Sequence, residues 1–383
     1  MKKIKVMTVF GTRPEAIKMA PLVKVLEQRE EIESIVCVTA QHRQMLDQVL
    51  DIFDIQADYD LDIMKAGQTL SDITARAMKG IEETIHAAKP DIVLIHGDTT
   101  TTFAGALASF YCQTKIGHVE AGLRTYDKFS PYPEEMNRCL TTYLADLYFA
   151  PTKNNENNLL NEHVDASKIF VTGNTVIDAL KHTVKPDYVF ADKTLRSLDY
   201  ENKRVILVTA HRRENLGEPL ENICRAILNV ANMAEDIEIV YPIHMNPLVR
   251  NTANAILGGH SRIHIIEPLD VTELHNLMSR CFFVMTDSGG LQEEAPSLGK
   301  PVLVLRDKTE RPEAVTAGTV KIAGVEENCI TEMARNLLFD KEEYEKMSKA
   351  VNPYGDGLAS ERIADAILYT FGLKPKAPSN FSE

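Results

Sequence analysis

No C-x-x-C pair occurs in the sequence, no basic tract is present, and no apolar run approaches the roughly 20 residues that cross a bilayer as a helix. Each absence excludes a class. Six cysteines, Cys37, Cys112, Cys139, Cys224, Cys281 and Cys329, stand singly in apolar or helical contexts. That scatter speaks against a disulfide or zinc framework and for reduced structural thiols in a cytoplasmic protein. A formal net charge of −13 without a basic tract excludes nucleic acid as a partner, so an anionic ligand has to be held by a local cluster. The start, MKKIKVMTVFGTRPEA, has basic residues, but its short apolar run ends in Gly-Thr-Arg rather than a small-residue cleavage site. It reads as a first buried strand. Low-complexity segments and short-period repeats are lacking too. So are the G-x-G-x-x-G dinucleotide fingerprint, the P-loop, H-E-x-x-H, the G-x-S-x-G elbow and any carboxylate-rich magnesium cluster.

What is present is ordinary globular composition, 44% hydrophobic and 25% charged, on a chain of 383 residues, long for one core. Short apolar runs alternate with helix-period segments. The first half carries IKVMTVF, SIVCVT, DIVLIHGD, KIGHVE, LYFAP and KIFVTG; the second carries RVILVTAH, IEIVYPIH, RIHIIEP, FFVMTDS, PVLVLR and TVKIAG. Near-continuous apolar runs separated by helices suit parallel strands covered on both faces. The expectation is two doubly wound, Rossmann-like α/β domains, 1–172 and 173–355. The change falls near VTGNTVID, and the polar stretch KPDYVFADKTLRSLDYENK reads as an irregular connection. A last helix, ASERIADAILYTFG, follows the loop NPYGDG.

Ligands of doubly wound sheets sit at the carboxyl ends of the strands. That filter selects Gly11-Thr12-Arg13-Pro14-Glu15 with Lys18, His96-Gly97-Asp98, the stretch from His118 and Glu120 to Arg124, and Glu134-Glu135. In the second half it selects His211-Arg212-Arg213-Glu214-Asn215, Thr286-Asp287-Ser288-Gly289-Gly290 and Arg306 to Glu313. Each has a plain structural reading. Asp98 would cap a helix, Glu135 would offset a helix dipole, Glu120 would pair with Arg124 at the surface, and His96, His118, His211 and His244 would be packed strand-end histidines. Their number at strand ends argues for more. Two glycines at a strand-to-helix junction let backbone approach a ligand, and a helix start offers unpaired N–H groups, so Ser288 to Gly290 suit a phosphate; Glu294, one turn on, suits ribose hydroxyls.

Taken together, GTRPEAIKMAPL, HGDTTT, GHVEAGLRT, PYPEEMNR, TAHRREN and TDSGGLQEEAPSLGKPVLVLRDKTERPEA resemble, in order, the motifs of the non-hydrolysing UDP-N-acetylglucosamine 2-epimerases. The resemblance implies the two-Rossmann-domain fold of the B-type glycosyltransferases, with the active site in the interdomain cleft and helix 356–383 returning to the first domain. It implies a cytoplasmic homodimer that interconverts UDP-N-acetylglucosamine and UDP-N-acetylmannosamine for cell-surface polysaccharide, using neither cofactor nor metal. The catalytic set then maps to Asp98, Glu120, Glu134 and His211, and the nucleotide contacts to Arg13, Lys18, Ser288, Gly289, Gly290, Glu294 and Arg311. Gln41, His42 and Gln44, with Gln68, match a stretch that binds a second, activating substrate molecule in some relatives; plain loop capping is the other reading. The implied chemistry is anti elimination of UDP through 2-acetamidoglucal and re-addition. A B-type glycosyltransferase or a hydrolysing 2-epimerase would keep the fold and change the reaction.

Overall fold

A computed structural model describes residues 3–40, 43–65 and 67–382, leaving the side chains of 43–45 aside. The chain divides into two compact units, Met1–His182 with Tyr354–Glu383, and Thr183–Pro353. In the first unit, strands β1 (Ile4–Phe10), β2 (Ile32–Val38), β3 (Tyr59–Asp60), β4 (Ile92–His96), β5 (Lys115–Val119), β6 (Leu147–Ala150) and β7 (Ile169–Val171) form a seven-stranded sheet ordered β3-β2-β1-β4-β5-β6-β7. All its pairings are parallel. In the second unit, β8 (Arg204–Thr209), β9 (Ile237–Pro242), β10 (Ile263–Ile266), β11 (Phe283–Thr286), β12 (Val302–Val304) and β13 (Val320–Ile322) form a parallel six-stranded sheet ordered β10-β9-β8-β11-β12-β13.

The apolar runs form strands because helices cover both faces. In β1, Val6, Met7, Val9 and Phe10 are wholly buried, each worth about 1.5–3 kcal/mol of burial. Phe10, Met19, Leu22 and Leu26 share one core with Ile363 and Ile367, so the helix Ala359–Thr370 packs within the first unit against the helix Arg13–Glu27. Buried Asp178 secures its start by accepting the Ala359 and Ser360 N–H groups at 3.1 and 2.6 Å. The stretch 185–203 is no loose connection. It contains the helix Lys193–Ser197, buries Phe190 and Leu195, and stacks Phe190 on Tyr200 with the Arg280 guanidinium beside both rings. Its apolar residues are held by aromatic and cationic contacts, which leave no periodicity. Cys37, Cys224 and Cys281 are core thiols, whereas Cys112 and Cys139 are half-buried and Cys329 is exposed on its helix. Among the described residues no helix is long and apolar enough to cross a membrane.

Each sheet reverses its winding between two neighbouring strands, β1 and β4 in the first, β8 and β11 in the second. The side chains of a doubly wound fold that face a ligand follow those strands. Here they are Gly11 to Arg13 and Gly97-Asp98 in one unit, and Ala210 to Arg212 and Asp287 to Gly290 in the other.

Candidate active site

The first unit carries three candidate carboxylates, Asp98 and Glu120 just after strand ends and Glu134 at a helix start, each in a different environment. Glu120 follows β5 with φ 64°, a left-handed conformation a side chain rarely adopts without compensation. That turn folds its carboxylate inward, where it pairs with the Lys18 ammonium, accepts the Asn174 amide at 2.9 Å and lies 3.6 Å from His96 Nε2. Arg124 is not its partner. The Arg124 guanidinium makes a fork to Glu162 at 2.6 and 2.7 Å and also donates to Thr142. Burial pushes the Glu120 carboxyl up, but Lys18 and His96 outweigh it and hold the group well below the usual carboxylate range.

Asp98 does not cap the helix Thr100–Tyr111; Thr99 does, accepting the Thr102 N–H. The Asp98 carboxylate is instead gripped by Arg138 through Nε at 2.9 Å and Nη2 at 2.6 Å, and its carbonyl accepts the Asn137 amide. Arg138 also donates to Glu135, a buried residue of the same helix, Glu134–Leu144, whose other oxygen accepts the Thr125 and Tyr126 N–H groups. Glu135 thus anchors a loop as well as standing in a first helical turn. Glu134 opens that helix one turn before Arg138, and its Oε2 is buried without a hydrogen-bond partner among the described residues.

Around this cluster stand Asn174, which the sequence did not single out, and Glu15, His96 and His118, which it selected by position without a catalytic role. Asn174 ties Glu120 to the returning chain, because its N–H donates to the Tyr354 carbonyl at 2.7 Å. Glu15, buried, accepts from the Gly11 and Thr12 N–H groups and from the hydroxyls of Thr12 and Thr99, locking the Arg13 loop to the start of the Thr100 helix. The pattern Thr12-x-x-Glu15 at a helix start was the signal for it. His96 is 4% exposed, with both ring nitrogens unbonded among the described residues. His118 fits the packed reading, with Nε2 2.8 Å from the Gly97 carbonyl and burial taking its imidazole down to about 4.

In the second unit, the helix Gly289–Ser297 begins after a two-residue link from β11, with Ser288 at its N-cap position and no capping hydrogen bond from the serine side chain. A side chain built on Gly289 would meet Arg212 and Arg311 guanidinium nitrogens at 3.8 and 3.9 Å and Glu310 Oε2 at 3.9 Å, so two cations flank this helix start with one carboxylate that pairs with Arg212 at 4.0 Å. Arg311 is fixed by an ion pair with Glu293. A side chain at Gly290 would press on Glu294 Oε1 at 3.2 Å, while Glu294 Oε2 lies 3.2 Å from His275 Nε2. His211 follows β8 and stacks on His244, ring centroids 5.0 Å apart and planes 7° from parallel. Burial lowers its imidazole below the ordinary range, partly opposed by Asp287. Beside it opens a cavity of about 230 Å³, mostly apolar, lined by residues including His211, His244, Pro268, Leu269, Ser288 and Leu291. An aromatic base fits such walls next to a phosphate-binding helix start.

Of the suggested activator residues, Gln41 and His42 lie outside the described residues, as does the side chain of Gln44. Gln68 accepts from the Lys65 N–H and from Arg76, the capping role a loop glutamine ordinarily has.

A family model described as UDP-N-acetylglucosamine 2-epimerase matches residues 24–368. The chain is 58% identical to a Bacillus subtilis UDP-N-acetylglucosamine 2-epimerase, covering 100% of both chains. It resembles the structure of a Neisseria meningitidis UDP-GlcNAc 2-epimerase bound to UDP-GlcNAc, with 50% identity, TM-score 0.88, and 96% and 100% of the two chains covered. A Methanocaldococcus jannaschii UDP-GlcNAc 2-epimerase solved with UDP-GlcNAc and UDP is 32% identical with TM-score 0.76 over 96% and 100%.

Proposed function

Because the chain belongs to the UDP-N-acetylglucosamine 2-epimerase family, we propose that it interconverts UDP-N-acetylglucosamine and UDP-N-acetylmannosamine by eliminating UDP and adding it back. The C2 hydrogen of the sugar has no adjacent carbonyl, so direct removal is steeply uphill. When the C1–O bond breaks first, charge developing at C1 acidifies C2–H, and loss of that proton gives 2-acetamidoglucal and UDP. Protonation from the opposite face and return of UDP invert C2.

The observation that carries this reading is the carboxylate trio after β4 and β5, with three distinct electrostatic settings. Glu120, held ionised by Lys18, and Asp98, gripped by Arg138, suit fixed negative charge beside a developing cation. Glu134, with a buried and unengaged oxygen, suits proton transfer. The second unit supplies what the leaving group needs: the Ser288 to Gly290 helix start with Arg212 and Arg311 for the diphosphate, Glu294 for ribose hydroxyls and the apolar cavity for uracil. In the first unit Lys18 is engaged by Glu120, and Arg13 follows β1 as a further cation; in the second, His211 is the candidate acid–base imidazole. A glycosyltransferase requires one base, which leaves two of the three acids without work.

The homodimer is part of the same proposal. Phe110 and Tyr111 on one helix and Met136, Leu140 and Tyr143 on the helix packed beside it expose an apolar and aromatic face, Tyr143 to 80%. Such a face on a chain with ordinary charge content suits a second copy. The test of function is direct: incubate the enzyme with UDP-N-acetylglucosamine alone and resolve the nucleotide sugars. Accumulation of UDP-N-acetylmannosamine to a fixed ratio supports epimerisation, and free N-acetylmannosamine would assign the hydrolysing reaction instead.

A further inference from the structure

Asp287 is the most completely buried charged residue at the second strand switch, with no exposed surface. One of its oxygens is fully employed: Oδ2 accepts the His211 and Arg212 N–H groups, both at 2.7 Å, and the Asn215 amide at 3.1 Å. These bonds fasten the turn after β8 to the segment that leads into the Gly289 helix. The other oxygen, Oδ1, is buried with no hydrogen-bond partner among the described residues. A buried carboxylate oxygen left unbonded bears its desolvation penalty without a compensating hydrogen bond. The group facing it is the His211 ring, with Nδ1 3.6 Å away, too long for a hydrogen bond and closed by a small swing of the imidazole. Contacts of catalytic groups are often long without ligand and tighten when it binds.

We propose that Asp287 is the positioning residue of His211, its Oδ1 taking the Nδ1 proton so that Nε2 is presented to the sugar nucleotide as the acid–base atom. The inference rests on the reading of His211 as a catalytic residue. The His244 ring, stacked nearly parallel, fixes the plane in which the imidazole can swing. Among the described residues, the charged or titratable groups that act on His211 are Asp287, His244 and Arg212. Burial, His244 and Arg212 favour the neutral ring, Asp287 the charged one. A neutral ring that keeps Nδ1–H is what the geometry at Oδ1 selects.

A loop-fastening role alone needs only Oδ2, and that distinction makes the proposal testable. Asp287→Asn retains a carbonyl oxygen for the three N–H donors but turns an NH2 group toward Nδ1, forcing the proton to Nε2. On the full-length enzyme labelled with 15N-histidine, with His211 assigned by comparison with His211→Gln, the neutral ring should be the Nδ1–H tautomer. In Asp287→Asn it should switch to Nε2–H and titrate at lower pH. Turnover should fall at least roughly a hundredfold, as when a histidine is held in the wrong tautomer, while UDP affinity by calorimetry stays within about twofold. An Nε2–H tautomer in the unaltered enzyme overturns the proposal even if the variant does not fold. So does an Asp287→Asn enzyme with turnover within threefold of normal while His211→Gln is crippled. Normal turnover of His211→Gln overturns the catalytic reading of His211 and this inference with it.

Discussion

Removal of the Lys18 ammonium tests whether Glu120 is held as a buried anion. In Lys18→Met the Glu120 carboxylate keeps the Asn174 amide, with His96 at 3.6 Å, but loses the one ammonium paired with it among the described residues. Breaking a buried pair on one side costs about 3–5 kcal/mol, and the surviving amide places this case near about 3. The loss depends on pH. In the unaltered protein Glu120 is held well below the usual carboxylate range, so its contribution is complete above the unfolded value of about 4.3 and disappears as pH falls through the folded one. Without Lys18, burial dominates and raises the carboxyl, and the variant folds with the proton on. The stability gap should therefore be widest at pH 8 and narrow by up to about 1.4 kcal/mol per pH unit toward pH 4. Urea unfolding followed by circular dichroism measures it, the sequence having no tryptophan to report by fluorescence. Lys18→Met/Glu120→Gln should recover much of the loss at pH 8. A gap below about 1 kcal/mol at pH 8, or one independent of pH, would refute the reasoning.

Asp98→Asn, Glu120→Gln and Glu134→Gln should each lower turnover at least roughly a hundredfold with unchanged circular dichroism; near-normal turnover of the Glu134 variant removes it from the catalytic set. Gly290→Val places a side chain against Glu294 Oε1, 3.2 Å from the new Cβ, and inside the phosphate cradle. UDP affinity by calorimetry should drop about tenfold or more, and an unchanged affinity contradicts the cradle. If Gln41, His42, Gln44 and Gln68 form an activator site, UDP-N-acetylmannosamine alone should turn over slowly until a trace of UDP-N-acetylglucosamine is added. Full initial activity, or an unaffected Gln41→Ala/Gln44→Ala enzyme, argues for loop capping.

The twelve apolar runs of the sequence all became strands because strands buried on both faces leave an unbroken apolar record. Tyr59–Asp60 left none, being a two-residue strand at the edge of the first sheet. The motif residues at strand ends were legible from position alone. Their partners were not. Arg138 and Asp98 are 40 residues apart, Asn174 and Glu120 are 54, and Asp287 and His211 are 76, so nothing local marks these pairings. Glu120 and Arg124 are close in sequence, yet the left-handed turn at Glu120 points it inward and Glu162 claims the arginine. The segment 185–203 misled because its few apolar side chains pack by aromatic contacts rather than by a helical or strand period.

The elimination itself is the central claim, and isotopic labelling reaches it most directly. With the enzyme in deuterium oxide, UDP-N-acetylglucosamine labelled with 18O in the C1–O–P bridge and no added cofactor, product should carry deuterium at C2, and so should substrate recovered after long incubation. The bridging label should scramble into non-bridging positions of the β-phosphate, because the departed diphosphate can turn before it returns. Inversion at C2 with the 18O retained in the bridge would contradict the account, since the C1–O bond would never have broken.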